Sequence, residues 1–403
     1  MRIKGLPVAG RWRADMILAC LVVLFAGRPV WAELPEGVPV EGKTFRARLT
    51  TVDENWQLTF DADQAQRVMP AADLVCWGTC VEAVRGPLLV VGDGGLLVAN
   101  VVKADRKSLT ADSVLFGCVQ LPLELLAGVV FQLPTERLRR DLLEHRVAYA
   151  TGKSDCVILS NGDEVTGSIE SISEQVICIV ASVGRIEIAT DRACAVVFNP
   201  ILVRRGNKQG PGAWVGLADG GRLIARQLTL DNKKLSITIG DNTQLTTAAR
   251  ELIFLQPLGD RVRYLSDLKA AGYRHVPYLD LRWPYQTDRN VTGGRLRSGG
   301  RLYLKGVGVH SAARLTYRLT EPYRRFQAEA GIDDSTAGRG SVRFRVYVDG
   351  QQKATSEVVR GSARPVSLSV ELAGAKRLDL IVDYADRADV LDHADWLHAR
   401  LVR

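Results

Sequence analysis

Gly331–Gly350 reads GIDDSTAGRGSVRFRVYVDG. An acidic, glycine-rich loop (Asp333, Asp334, Gly338, Gly340) runs into Ser341–Val348, where Val342, Phe344, Val346 and Val348 share one parity and Arg343, Arg345 and Tyr347 the other. A period of two places one face over a core and the other in water, which predicts a half-buried strand. Asp349-Gly350 then supplies a strong hairpin signal. Working outward, six or more short alternating runs with turns every ten or so residues predict an antiparallel sandwich over the C-terminal third.

From Arg261 the composition changes. Tyr264, Tyr273, Tyr278, Trp283 and Tyr285 concentrate aromatic residues in a short polar stretch, and strands resume at Gly300. The Gly306-Val307-Gly308-Val309-His310 run, Phe326 through Asp333-Asp334, Phe344 to Gly350, Gly374-Ala375-Lys376 and Asp392 to Trp396 follow in order. On these motifs, about residues 275–403 resemble the NPCBM family, carbohydrate-binding modules first noted beside glycoside hydrolases. The resemblance implies a galactose-binding-like jelly-roll sandwich that binds glycan or polysaccharide without catalysis. NPCBM members often accompany a catalytic domain, and none is legible in this chain.

A sugar offers C–H patches to aromatic faces and hydroxyls to planar polar groups. Trp283, Tyr285, His310, Arg339 and Trp396 are the best-placed carbohydrate-binding candidates. Each has a structural alternative: Trp283-Pro284-Tyr285 as a plug at one end of the sandwich, His310 as a buried core histidine, Trp396 as packing. In the last strand Leu397, Ala399 and Leu401 share the parity assigned to the core, which puts Trp396 on the outer face or under a loop. Asp333, Asp334, Asp392 and Asp395 are hard-oxygen donors on loops near a sheet end, suited to a structural calcium, and the resemblance makes such an ion reasonable. Alternatively these aspartates brace loop amides or pair with Arg339.

Residues 37–258 are strand-rich and repeat a pattern. Four segments open at Gly42, Gly94, Gly162 and Gly220 and close on short apolar triplets ending at Val75, Phe131, Phe198 and Phe254, 33 to 37 residues later. Each predicts a small antiparallel meander, SH3-like or Sm-like, too small to stand alone and therefore stacked or paired. The fold class is thus all-β: repeated small barrel-like units followed by a sandwich. Residues 37–150 hold two units and an amphipathic helix, 151–260 two more, and 270–403 the sandwich. The helix runs from Pro134 to about Tyr149, with Leu138, Leu142, Leu143 and Val147 as its apolar stripe and Arg137, Arg139, Arg140 and Arg146 as a solvated face.

A chain of 403 residues exceeds one core. Its first 32 residues follow a basic, apolar, small-residue order and read as a secretory signal peptide, predicting export to the periplasm or beyond and no stable transmembrane span after cleavage. The remainder carries 48 basic against 44 acidic residues, a net +4, which implies no nucleic-acid surface. Six cysteines remain (Cys76, Cys80, Cys118, Cys156, Cys178, Cys194), an even number that permits disulfides in an exported protein. Cys76 and Cys80 are either locally bridged or two buried thiols. No catalytic triad, nucleophile elbow, phosphate loop or metal motif is legible. The expected function is non-catalytic glycan binding. The alternatives are an envelope protein whose barrels bind protein partners, or a glycosidase with two carboxylates beside a sugar-sized cleft.

Overall fold

The computed structural model describes residues 34–62, 65–206 and 210–403; the signal-peptide reading lies outside them. Within Pro35–Arg403 the four predicted units are four small barrels of one plan. In the third, Asp155–Leu159, Glu164–Ser173, Val176–Ala181 and Gly184–Ala189 follow one another, a one-turn helix Thr190–Arg192 intervenes, and Ala193–Val197 closes back on the first strand. The other three likewise place a one-turn helix before a closing strand that pairs with the opening one. The landmark glycines have a conformational cause. Gly42, Gly94, Gly162 and Gly220 have φ of 94°, 93°, 93° and 86°, left-handed values that a residue with a Cβ resists.

No barrel stands alone. Closing strands of the second and third pair at Val129↔Val196, and those of the first and fourth at Leu255↔Trp77. One apolar cluster, including Phe60, Leu97, Ile177 and Leu235, runs through all four. This meets the expectation that units of this size must share a core.

The sandwich has two antiparallel sheets. One orders Gln286–Thr287, Gly306–His310, His393–Val402, Arg325–Ile332 and Val366–Glu371; the other Gly272–His275, Ala313–Arg318, Arg377–Tyr384, Ser341–Val348 and Gln351–Thr355. Ser341–Val348 behaves as its parity predicts, with Val342, Phe344, Val346 and Val348 in the core and Arg343, Arg345 and Tyr347 half-buried. Asp349 and Gly350 have φ of 47° and 83°, the pair of positive values that a two-residue hairpin requires. The strand Val262–Tyr264 pairs with Arg400–Val402, so the sandwich begins before residue 270.

The helix spans Arg137–Ala148 and corrects the expected stripe. Leu142 is exposed, while Asp141 and Glu144 are buried with Val147 and Ala148. Their partners are arginines of the sandwich and, for Glu144, also Arg222 of the fourth barrel. Arg297, in the hairpin strand Leu296–Ser298, donates Nε and Nη2 to Glu82 at 2.6 and 3.0 Å, and Nη1 and Nη2 to Asp141 at 2.6 and 3.0 Å. Burial works against the charge on Asp141, but the hydrogen bonds and charge of Arg297 overcome it and hold the carboxyl below its ordinary range. An apolar cluster also crosses the junction, with Val75, Cys76, Cys80 and Phe254 of the barrels against Leu304 and Val402 of the sandwich. All six described cysteines are free, and burial pushes Cys76 and Cys80 up to about 12, so the buried-thiol alternative holds for that pair.

Removing a partner from a buried ion pair strands the opposing charge, at about 3–5 kcal/mol. Arg297→Leu should therefore lower the unfolding free energy by roughly that amount in urea titrations. Arg301→Leu, which loses a half-exposed pair with Glu36, should cost under about 1 kcal/mol. Equal losses would show that the Arg297 clamp contributes no more than a surface pair.

Candidate functional site

At one end of the sandwich the strands bring three histidines and a tryptophan together. Gly306–His310 and His393–Val402 are adjacent, and His310 and His393 are direct cross-strand partners. His275 ends a strand of the second sheet, and Trp283 follows in the connecting segment. The Trp283 indole stacks on the His310 ring at 5.3 Å with a 5° interplanar angle. His393 lies 5.8 Å from both, and His275 stands edge-on to His310 at 5.7 Å. His310 and His393 are buried, whereas Trp283 and His275 are half-buried at the mouth.

The electrostatics keep these rings uncharged. Burial, then the neighbouring His393, pushes His310 down to about 4, and burial likewise lowers His275 and His393. A neutral imidazole offers one donor and one acceptor. Nδ1 of His310 and Nε2 of His275 are buried without a hydrogen-bond partner. His275 Nδ1 accepts from the Trp283 backbone N–H at 3.3 Å, and Ser335 Oγ lies 3.4 Å from His393 Nδ1. Among the described residues no three His, Cys, Asp or Glu side chains gather as metal ligands. The arrangement is an aromatic platform edged by neutral hydrogen-bonding groups, suited to an uncharged polyol.

The sequence candidates divide. Trp283 and His310 are central. Tyr285 packs on Tyr273 at 5.1 Å at the edge of the core. Arg339 stays on an exposed loop, where its Nε donates to the Thr336 carbonyl at 3.3 Å, and no contact among the described residues joins it to the histidines. Trp396 is wrongly placed by parity. It is fully buried, edge-on to Phe344 at 4.9 Å, and therefore out of reach of any sugar. His398 has φ of 46° and the register slips opposite Ala328; this bulge reverses the alternation, so Trp396, Ala399 and Leu401 all face the sandwich core. His275, His393 and Ser335 were missed, although four of the chain's five histidines follow residue 270.

The aspartates expected as calcium ligands lie among backbone amides and one another. Asp333 accepts from Asn290 Nδ2, Ser335 N and Arg297 N at 2.8, 2.9 and 3.0 Å, Asp334 from the amides of Gly299 and Gly300, and Asp392 from Ser341 N at 2.8 Å. Asp395 is fully buried, and burial followed by the charge of Asp333 raises its pKa well above the ordinary value. Burial also raises Asp392, to about 6. A carboxyl that binds its proton more tightly when folded stabilises below its unfolded pKa, and that contribution declines as pH rises from about 4 to about 6. Asp392→Asn, which mimics the protonated acid, should thus gain in melting temperature relative to wild type between pH 4 and pH 7. A calcium ligand would give the reverse: Asp392→Asn would melt lower at pH 7, and EDTA would lower the wild type too.

Comparison with known proteins bears on the sandwich alone. Residues 261–402 match the NPCBM/NEW2 domain family. A protein of Renibacterium salmoninarum described as "Putative endo-alpha-N-acetylgalactosaminidase" is 34% identical over 110 residues, covering 27% of this chain and 7% of that one. Alpha-1,3-galactosidase B of Akkermansia muciniphila is 33% identical over 114 residues, 27% of this chain and 14% of its own length. The matched part is a small fraction of either relative. The CBM51 module of Clostridium perfringens GH95, solved in complex with methyl-galactose, aligns over 35% of this chain and 99% of its own at 26% identity and a TM-score of 0.32. The C-terminal part of the chain, residues 261–402, is an NPCBM/NEW2 domain.

Proposed function

We propose that this is an exported, non-catalytic protein that binds carbohydrate through its NPCBM/NEW2 domain, with Trp283, His275, His310 and His393 forming the sugar site. The observation that carries this reading is the half-buried Trp283 indole stacked on the neutral His310 ring, with His275 half-buried beside them. An indole face complements the C–H patches of a sugar, and a neutral imidazole edge complements its hydroxyls. The named activities of the curated relatives, an endo-alpha-N-acetylgalactosaminidase and an alpha-1,3-galactosidase, support galactose or N-acetylgalactosamine as the sugar type. Export rests on the basic and apolar order of the first 32 residues.

The non-catalytic reading is supported by how the acids are engaged. Asp267 and Asp288 both hold the Lys305 ammonium, at 2.8 and 2.7 Å, and Glu144 accepts from Arg222 and Arg295. A glycan array followed by calorimetry with galactose and N-acetylgalactosamine is the test. Trp283→Ala should weaken binding by at least about tenfold. Folded wild type that binds no glycan, or a Trp283→Ala variant that binds as well, would overturn the proposal. Because the site needs neutral imidazoles, affinity should be full at pH 7 and be lost once the pH has fallen through about 4, where His310 protonates.

A further inference from the structure

A second concavity lies between the fourth barrel, the C-terminal end of the helix Arg137–Ala148 and the sandwich. Its volume is about 690 Å³, within the range of about 300–1,000 Å³ typical of small-molecule sites. None of the four sugar-site residues lines it. Trp214 of the strand Gly212–Leu217 is half-buried on one wall, Tyr149 is exposed beside the helix end, and Tyr264 and Tyr303 come from the sandwich side.

The charges of this cleft divide into committed and uncommitted groups. Asp267, Asp288 and Glu144 are paired as described above. Asp93 accepts from Gly95 N, and burial pushes its carboxyl toward the neutral form. Arg289 is different. Its Nη1 donates to two backbone carbonyls, Gly293 O at 2.6 Å and Asp141 O at 3.4 Å. Among the described residues no carboxylate stands within ion-pair distance of Arg289, Arg226 or Arg263, and all three line the cleft. Asp260, exposed at the lip, is like Asp93 without an ion-pair partner among the described residues. A half-desolvated guanidinium with spare N–H groups favours an oxyanion, and a planar fork suits carboxylate and sulfate oxygens equally.

We propose that this cleft is a second carbohydrate site, taking an acidic saccharide whose carboxylate or sulfate binds Arg289 and whose ring lies against Trp214. The half-buried Trp214 indole gives the C–H face of a sugar a flat apolar surface, and Arg226 and Arg263 add long-range attraction. This site is independent of the Trp283 site: one selects an uncharged sugar, the other an anionic one.

The test is calorimetric titration of the full chain with digalacturonate, a sulfated chondroitin disaccharide, neutral galactobiose and AMP. At least one acidic disaccharide should bind, and more weakly as salt is raised from about 50 to about 300 mM. Arg289→Gln should reduce that affinity by at least about tenfold, whereas Trp283→Ala should leave it unchanged. The two acidic probes separate carboxylate from sulfate recognition. If Arg289→Gln does not fold, as read by its melting curve, Trp214→Ala carries the same test and should also lose at least about tenfold. Failure of both acidic probes to bind, binding of galactobiose by Trp283→Ala as tight as that of the acidic disaccharides, tighter binding of AMP, or loss in Trp283→Ala with retention in the cleft variants would each overturn the proposal. Because galactose binding is read by Trp283→Ala alone, failure of one site is distinguishable from failure of the other.

Discussion

One guanidinium, that of Arg297, ties this molecule together. Its side chain receives two carboxylates from different parts of the barrel region, Glu82 and Asp141, in a buried setting. Its backbone N–H is held by Asp333, the residue that opens the loop leading to Ser335 and so to His393. The same residue therefore fixes the sandwich against the barrels and anchors the loop behind the histidine cluster. Charge pairing of this kind adds little stability over apolar packing, but it dictates geometry, because two bidentate contacts on one planar group leave little rotational freedom.

The helix Arg137–Ala148 is the other half of that constraint. Asp141 serves Arg297 and the backbone N–H of Arg295, and Glu144 serves Arg222 and Arg295. Sandwich, helix and fourth barrel meet around these groups, and the cleft opens beside them. With Glu144 engaged, Arg289 is left facing the cavity with carbonyl partners only. At the other site the logic is inverted: burial strips charge from three imidazoles and leaves neutral donors and acceptors beside an indole. The two sites are thus matched to ligands of different charge.

Local rules explain what was legible in the sequence. The repeat showed because its hairpins need left-handed glycines at equivalent places, and Ser341–Val348 showed because alternation survives in an unbulged strand. Trp396 was misassigned because the bulge at His398 reverses parity, and nothing in DHADWLHARL announces it. The helix was half read: its leucines were counted as the buried stripe, while Asp141 and Glu144 sit inside because their arginine partners lie about 150 residues away. For the aspartates, the sequence displays the carboxylates of Asp333, Asp334 and Asp392 and not the backbone amides that donate to them. His275 and His393 escaped notice for a similar reason, since only the register of two sheets brings them to His310.

The central claim is that neutral histidine rings beside Trp283 contact an uncharged sugar. Its most direct test is a nitrogen-15 NMR titration that follows the imidazole signals of the full chain as galactose or N-acetylgalactosamine is added. The account predicts saturable shifts of the His310 and His275 ring nitrogens at pH 7, with His145 and His398 unmoved. Sugar binding that leaves the His310 and His275 signals in place would contradict it.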